Sequence, residues 1–81
     1  MRIEVLYFAQ IKDATGTDSE SLMVDAGATV ADVVRILRER PAWRLLSELP
    51  LTCAVNEAVV GSEHVLHDKD VVALLPPVSG G

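Results

Sequence analysis

The residues that suggest chemistry are the last six, whose types and order distinguish them from an ordinary chain end. They read Pro76-Pro77-Val78-Ser79-Gly80-Gly81. Proline has a fixed φ angle and no backbone N–H, so the pair is expected to end the preceding strand and to hold the chain extended. The two glycines carry no Cβ atom, and so thin an end fits a narrow channel in another protein. We therefore expect the terminal carboxylate of Gly81 to be the reactive group.

A solvated tail without a role is the alternative, because chain ends are commonly disordered. Two features favour a functional tail. It follows directly from the apolar segment Val71–Leu75, which anchors its base. The Pro76-Pro77 pair also stiffens it, where a Gly/Ser-rich linker would be flexible. In an extended conformation, residues 76–81 reach on the order of 20 Å.

The other groups that could do chemistry have simpler explanations. His64 and His67 are three residues apart without a third ligand, so we expect solvated histidines and no metal site. Cys53 is the single cysteine and lies in the apolar run 51–55, which predicts a buried, inert thiol. No serine, histidine and carboxylate grouping resembles a triad, and no glycine-rich loop is suited to phosphate. The chain is therefore not expected to be catalytic alone.

The remaining charged residues are interpreted as structural. Arg35, Arg38 and Arg40 fall on one side of a predicted helix and its end, and we expect them to form ordinary solvated surface. Asp68 and Asp70 flank a lysine between two apolar segments and are expected to stabilise a turn.

Length and composition restrict the class of protein. The chain has 81 residues, 49% of them hydrophobic, which predicts one globular domain. Its formal net charge of −5 argues against a nucleic-acid partner, since phosphate contacts need clustered lysine and arginine. No apolar run is long enough to cross a bilayer, and no targeting segment is visible, so no membrane partner and a cytoplasmic location are expected.

Hydrophobic periodicity predicts an α+β domain over residues 1–75, followed by an extended tail over residues 76–81. A helix is predicted to begin at Thr29, with Asp32 completing a capping box, and to end at Pro41. Residues 13–18 read as a loop and 43–49 as a short helical turn. The predicted extended segments are residues 3–9, 19–24, 52–56, 57–60 and 71–75.

One helix can cover only one face of the two most apolar strands, the first and the last. We expect these strands to lie side by side at the centre of the sheet, with four residues facing inward: Ile3, Val5, Val72 and Leu74. The opposite face then keeps an apolar patch close to the tail, formed by Leu6, Phe8, Ala73 and Leu75. Such patches usually mark interaction sites. The alternative is that residues 43–49 fold over the patch and cover it.

Several segments together resemble the small subunit of molybdopterin synthase, a family of sulfur carriers with a ubiquitin-like β-grasp fold. The matching segments are Leu6-Tyr7-Phe8-Ala9, Ala54-Val55-Asn56, Asp68-Lys69-Asp70-Val71 and the tail from Pro76 to Gly81. The resemblance covers the whole chain, and the tail carries most of its specificity.

The resemblance implies a sulfur carrier whose last glycine, Gly81, is adenylated by an ATP-dependent activating enzyme and then converted to a thiocarboxylate by a sulfur donor protein. The large synthase subunit, expected in a heterotetramer, would receive the tail and transfer its sulfur to a cyclic pyranopterin. No tightly bound cofactor is implied. Partner-binding roles would fall to Gly80, Ser79, Val78, Pro77, Pro76, Leu75, Ala73, Phe8 and Leu6.

Two other functions remain open from the residues. A Gly-Gly end also fits a ubiquitin-like protein modifier or a sulfur carrier of the thiamine-pathway type. A non-covalent interaction module with an incidental tail is the third possibility.

Overall fold

A five-stranded mixed sheet with helices on one face forms the fold, in a computed structural model that describes residues 1–77. The sheet order is β2-β1-β5-β3-β4. The strands are β1 (Arg2–Tyr7), β2 (Ser19–Met23), β3 (Thr52–Val55), β4 (Ala58–Val60) and β5 (Val71–Leu75). The helices are α1 (Ala9–Thr15), α2 (Val30–Arg38) and a 3-10 helix (Pro41–Leu46).

The first and last strands lie at the centre, as predicted, because they are the most apolar. β1 and β5 pair in parallel, and their inward side chains form the middle of the core. Ile3, Val5, Val72 and Leu74 are each at most 1% exposed, which confirms the predicted inward face.

The predicted start of the main helix is also confirmed. Thr29 accepts a hydrogen bond from the Asp32 backbone, and the Asp32 carboxylate accepts one from the Thr29 backbone, which forms a capping box. The bond from the Thr29 backbone to the carboxylate is the main cause that holds the pKa of Asp32 below its usual value. The helix then buries Val30, Val33 and Leu37 against the sheet.

The connection between β1 and β2 differs from the prediction of a simple loop. Residues 9–15 form α1, a helix of seven residues that ends at Gly16 in a left-handed conformation with φ 76°. Its single buried side chain is Ile11. One inward residue gives no periodic stripe, so hydrophobic periodicity could not reveal this helix.

The segment after β3 also differs. Residues 57–60 were expected to continue the preceding extended segment, whereas the chain reverses at Asn56 and Glu57 into the antiparallel strand β4. Both residues have positive φ angles, 50° and 75°. That conformation is the one a tight two-residue hairpin requires, usually with Asn-Gly.

The 3-10 helix packs on the helical side of the sheet. The Trp43 ring is 1% exposed and meets the Tyr7 ring edge to face at 5.9 Å. The idea that residues 43–49 cover the open-face patch is therefore wrong, since their buried side chains belong to the core on the other side.

Two of the three arginines expected to be ordinary solvated surface are engaged instead. The Arg38 guanidinium donates to the backbone carbonyls of Leu46, Ser47 and Leu49 at 2.7–2.8 Å. Arg40 forms an ion pair with Glu20, which also accepts the hydroxyl of Tyr7. Periodicity assigns a face to a residue, but it does not show how far a long side chain reaches. Arg35 does remain exposed, paired with Asp32.

Candidate partner-binding face

The open face of the sheet, opposite the helices, carries a continuous apolar row. Strand register aligns Leu6 with Ala73, Ala73 with Ala54, and Ala54 with Val59, so the row crosses β1, β5, β3 and β4. Leu6 and Ala73 are half-buried and Val59 is exposed. Ala54 is buried between its neighbours, so the apolar surface that this row exposes comes from Leu6, Ala73 and Val59.

Phe8 extends the row beyond the end of β1. It has an extended backbone, with φ −128° and ψ 153°, and Ala9 then turns the chain into α1 with a φ of 50°. This sharp reversal leaves the Phe8 ring 42% exposed at the margin of the open face. Alternation along the strand places Phe8 on the same side as Leu6, and the turn that follows leaves its ring accessible.

Three of the predicted partner-binding residues line one cleft of about 490 Å³. These are Leu6, Phe8 and Ala73, and sequence reasoning missed the other three lining residues, Asn56, Glu57 and Val71. The signal that could have found the first two is the pair of polar residues between two short apolar runs, which is typical of a hairpin turn. Strand alternation places Val71 on the same face as Ala73.

A hydrogen-bond network fixes the end of this cleft that lies at the start of β5. The Asn56 side chain donates to Asp70 at 3.0 Å and accepts from the Val71 backbone at 3.0 Å. Asp70 is buried and also accepts from the His67 backbone at 2.8 Å. This backbone bond is the main cause that holds the pKa of Asp70 below its usual value. The network confirms the expected role of Asp70 in stabilising a turn.

Beyond Ala73, β5 continues for two more residues to the predicted tail. Thr52 of β3 pairs with Leu75, the last residue of β5, which is half-buried. Pro76 is half-buried as well, and Pro77 is exposed. The remaining predicted site residues lie outside the described part of the chain: Val78, Ser79, Gly80 and Gly81.

The groups with simpler explanations have the surroundings expected for them. Cys53 is buried, and burial raises the pKa of its thiol. It lies at the base of a wider groove of about 730 Å³ between α2 and the β3–β4 hairpin, to which no predicted site residue contributes. His64 and His67 are exposed. Within residues 1–77, no group of three metal-ligating side chains is found, and no helix there is long and apolar enough to span a membrane.

Comparison with known proteins places this geometry in context. The molybdopterin synthase sulfur carrier subunit of Escherichia coli strain K12 is 38% identical over 80 residues, which cover 98% of this chain and 99% of that protein.

Two solved structures share the fold. Small archaeal modifier protein 1 of Haloferax volcanii matches with a TM-score of 0.84 and 26% identity, covering 95% of this chain and 98% of that one. Another match lies in a complex of subunits 1 and 2 of the molybdopterin-converting factor from Helicobacter pylori, with a TM-score of 0.73, 27% identity and full coverage of both chains. The expected ubiquitin-like β-grasp fold is confirmed.

The family match itself extends over residues 5–81, which include every residue of the open-face row and the tail. The chain belongs to the ThiS family.

Proposed function

We propose that this chain is the sulfur carrier and small subunit of a molybdopterin synthase, and that the α-carboxylate of Gly81 is its working group. The observation that carries the proposal is the apolar open face, which ends where β5 leads into the tail. The full-length likeness to the E. coli sulfur carrier subunit supports the same function.

The chemistry requires other proteins, because a carboxylate is a poor electrophile. An activating enzyme joins the Gly81 carboxylate to AMP from ATP and releases pyrophosphate. Sulfide released by the sulfur donor then attacks the carbonyl carbon. A C–S bond forms as the C–O bond to AMP breaks, so AMP leaves, a proton is released and a thiocarboxylate remains. Its sulfur is a better nucleophile than the oxygen it replaced. We place this cycle in the cytoplasm, with no tightly bound cofactor on the carrier.

The folded domain, residues 1–75, provides the surface that the large subunit binds, and this binding positions the tail, residues 76–81. Ala73 lies in the open-face row, and Pro76 is three positions further along the chain, about 10 Å in extended backbone. A large subunit bound to the row therefore holds the base of the tail near its own active site. Binding of the large subunit to the row thus holds the end of the tail beside the cyclic pyranopterin, so the two groups react without having to meet by diffusion.

Mass spectrometry tests the working group. The purified chain is incubated with the activating enzyme, ATP and a sulfur source, and the mass of its C-terminal peptide is measured. We expect a rise equal to the difference between sulfur and oxygen, lost when Gly81 is deleted. A mass that stays unchanged under conditions that charge the E. coli carrier would contradict the proposal.

A matched pair of surface variants tests the face. Phe8→Ser removes an aromatic side chain at the margin of the row, while Leu45→Ser removes an apolar side chain that is 94% exposed on the helical side. We expect Phe8→Ser to weaken large-subunit binding by roughly 2 kcal/mol, as an aromatic anchor does, and Leu45→Ser to leave it unchanged. Equal effects of the two variants would argue against the open face.

A protein modifier is the second candidate, favoured by the close likeness to small archaeal modifier protein 1. Both functions activate the same glycine, so they are separated by products. A modifier gives a ladder of conjugates joined to lysines in cell extract, and a sulfur carrier gives a thiocarboxylate without conjugates.

A further inference from the structure

The one charged residue among those that line the open-face cleft is Glu57. Its backbone has a φ of 75°, a conformation that residues with a side chain rarely adopt and that glycine adopts readily. Glycine is therefore the usual residue at this second position of a two-residue hairpin turn. A glutamate at this position is therefore unfavourable for the backbone conformation that the turn requires.

Two nearby residues with positive φ angles make hydrogen bonds within the fold that offset the cost of this backbone conformation. Asn56 also has a positive φ, but its side chain joins Asp70 to the start of β5. Lys69 has a φ of 73°, and its N–H donates to the Arg2 carbonyl at 2.7 Å. Glu57 differs, because its carboxylate forms no hydrogen bond or ion pair with any residue between 1 and 77 and is exposed. An unfavourable backbone conformation that no contact within the domain offsets indicates that the residue has a functional role.

The position of Glu57 within the cleft indicates what that role is. The hairpin turn is fastened to Val71, the first residue of β5, while the tail leaves after Leu75, the last. Val71 and Leu75 are four positions apart in the strand, about 13 Å. Glu57 therefore puts a negative charge at the end of the cleft near Val71, and the apolar side chains of the cleft follow β5 in the direction in which it runs toward the tail.

We propose that Glu57 is a register-determining residue, whose carboxylate pairs with a lysine or arginine that the synthase large subunit places beside its apolar contact surface. This rests on the proposed function of the open face. The apolar row alone tolerates sliding or reversal of a partner, because apolar contacts are not directional. A charge pair at one end removes those alternatives and fixes which end of the cleft points the tail into the partner.

The experiment measures binding of the carrier to its cognate large subunit by calorimetry at low and high sodium chloride. Glu57→Gln keeps the size of the side chain and removes its charge. Glu48→Gln is the control, since it removes the same charge from an exposed residue in the segment held by Arg38 on the helical side. We expect Glu57→Gln to weaken binding about tenfold at low salt and to flatten its salt dependence, with Glu48→Gln close to the unaltered protein.

A second variant separates recognition from folding. Glu57→Gly relieves the backbone conformation, so we expect its melting temperature to equal or exceed that of the unaltered protein while its binding is weakened like that of Glu57→Gln. If Glu57→Gln binds as Glu48→Gln does at both salt concentrations, the inference about Glu57 is wrong and the proposed function stands. If the unaltered protein does not bind the large subunit, the inference about Glu57 and the proposed function are both wrong. Weakening seen only toward the activating enzyme would also overturn the inference.

Discussion

Replacing Arg38 by methionine tests whether one side chain of α2 holds the segment that follows the helix. The guanidinium makes three hydrogen bonds to main-chain carbonyls, and those to Leu46 and Leu49 are partly buried. Methionine keeps the apolar stem and removes all three donors.

The expected loss follows from the burial of the acceptors. A hydrogen bond from a charged donor contributes about 1.5–3 kcal/mol when the groups are protected from water, and much less where water replaces it. Counting the two partly buried bonds at reduced value gives a loss of about 2–3 kcal/mol in the free energy of unfolding. For a domain of this size that corresponds to a fall in melting temperature of roughly 8–24 °C.

Urea unfolding followed by tryptophan fluorescence is the assay, because Trp43 is buried beside this segment. Arg35→Met is the matched control, since Arg35 lies on the same helix and has only an exposed pair with Asp32 at 3.3 Å, which contributes about 0.3–0.5 kcal/mol. Arg38→Lys is expected to fall between the two, as one ammonium group cannot reach three carbonyls. A loss for Arg38→Met no larger than that for Arg35→Met would refute the reasoning.

Three further predictions concern the cap, acid and the thiol. Thr29→Ala removes the capping box and is expected to cost about 1 kcal/mol in urea unfolding, which Thr29→Ser should largely restore. The folded-state pKa of Asp70 lies below its ordinary value, so its contribution to stability is present above about pH 4 and is lost as the pH falls through the lower folded pKa. Asp70→Asn should therefore flatten the decline in melting temperature on the acid side. An unchanged slope would contradict the role assigned to Asp70. Cys53 is buried with a raised pKa, so a thiol reagent should modify it slowly in the folded protein and rapidly in urea, whereas equal rates would show that the thiol is accessible.

The sequence was sufficient for the parts of the fold that depend on periodicity. β1 and β5 are apolar on both faces, which predicts central strands, and the alternation in β1 assigns Ile3 and Val5 inward. The start of α2 follows from Thr29 and Asp32, whose side chains have a direct local partner. These features depend on residues close together in sequence.

What the sequence did not reveal depends on geometry between distant residues or on backbone conformations without a strong local signal. The helix α1 buries one side chain, so no stripe marks it. The turn at Glu57 lacks the glycine that normally marks such hairpins. The reach of Arg38 to carbonyls 8–11 residues away depends on where the 3-10 helix packs, which no local pattern contains. The sequence accordingly predicted an apolar patch of Leu6, Phe8, Ala73 and Leu75, but neither the cleft nor the glutamate that lines it.

The parallel pairing of β1 with β5 has a consequence for the synthesis of the protein. The row takes Leu6 from the first of the five strands and Ala73 from the last, with Ala54 and Val59 coming from β3 and β4. During synthesis β1 therefore emerges well before the strand that pairs with it in the middle of the sheet. The row is complete only after β5 has been made and has paired with β1 and β3.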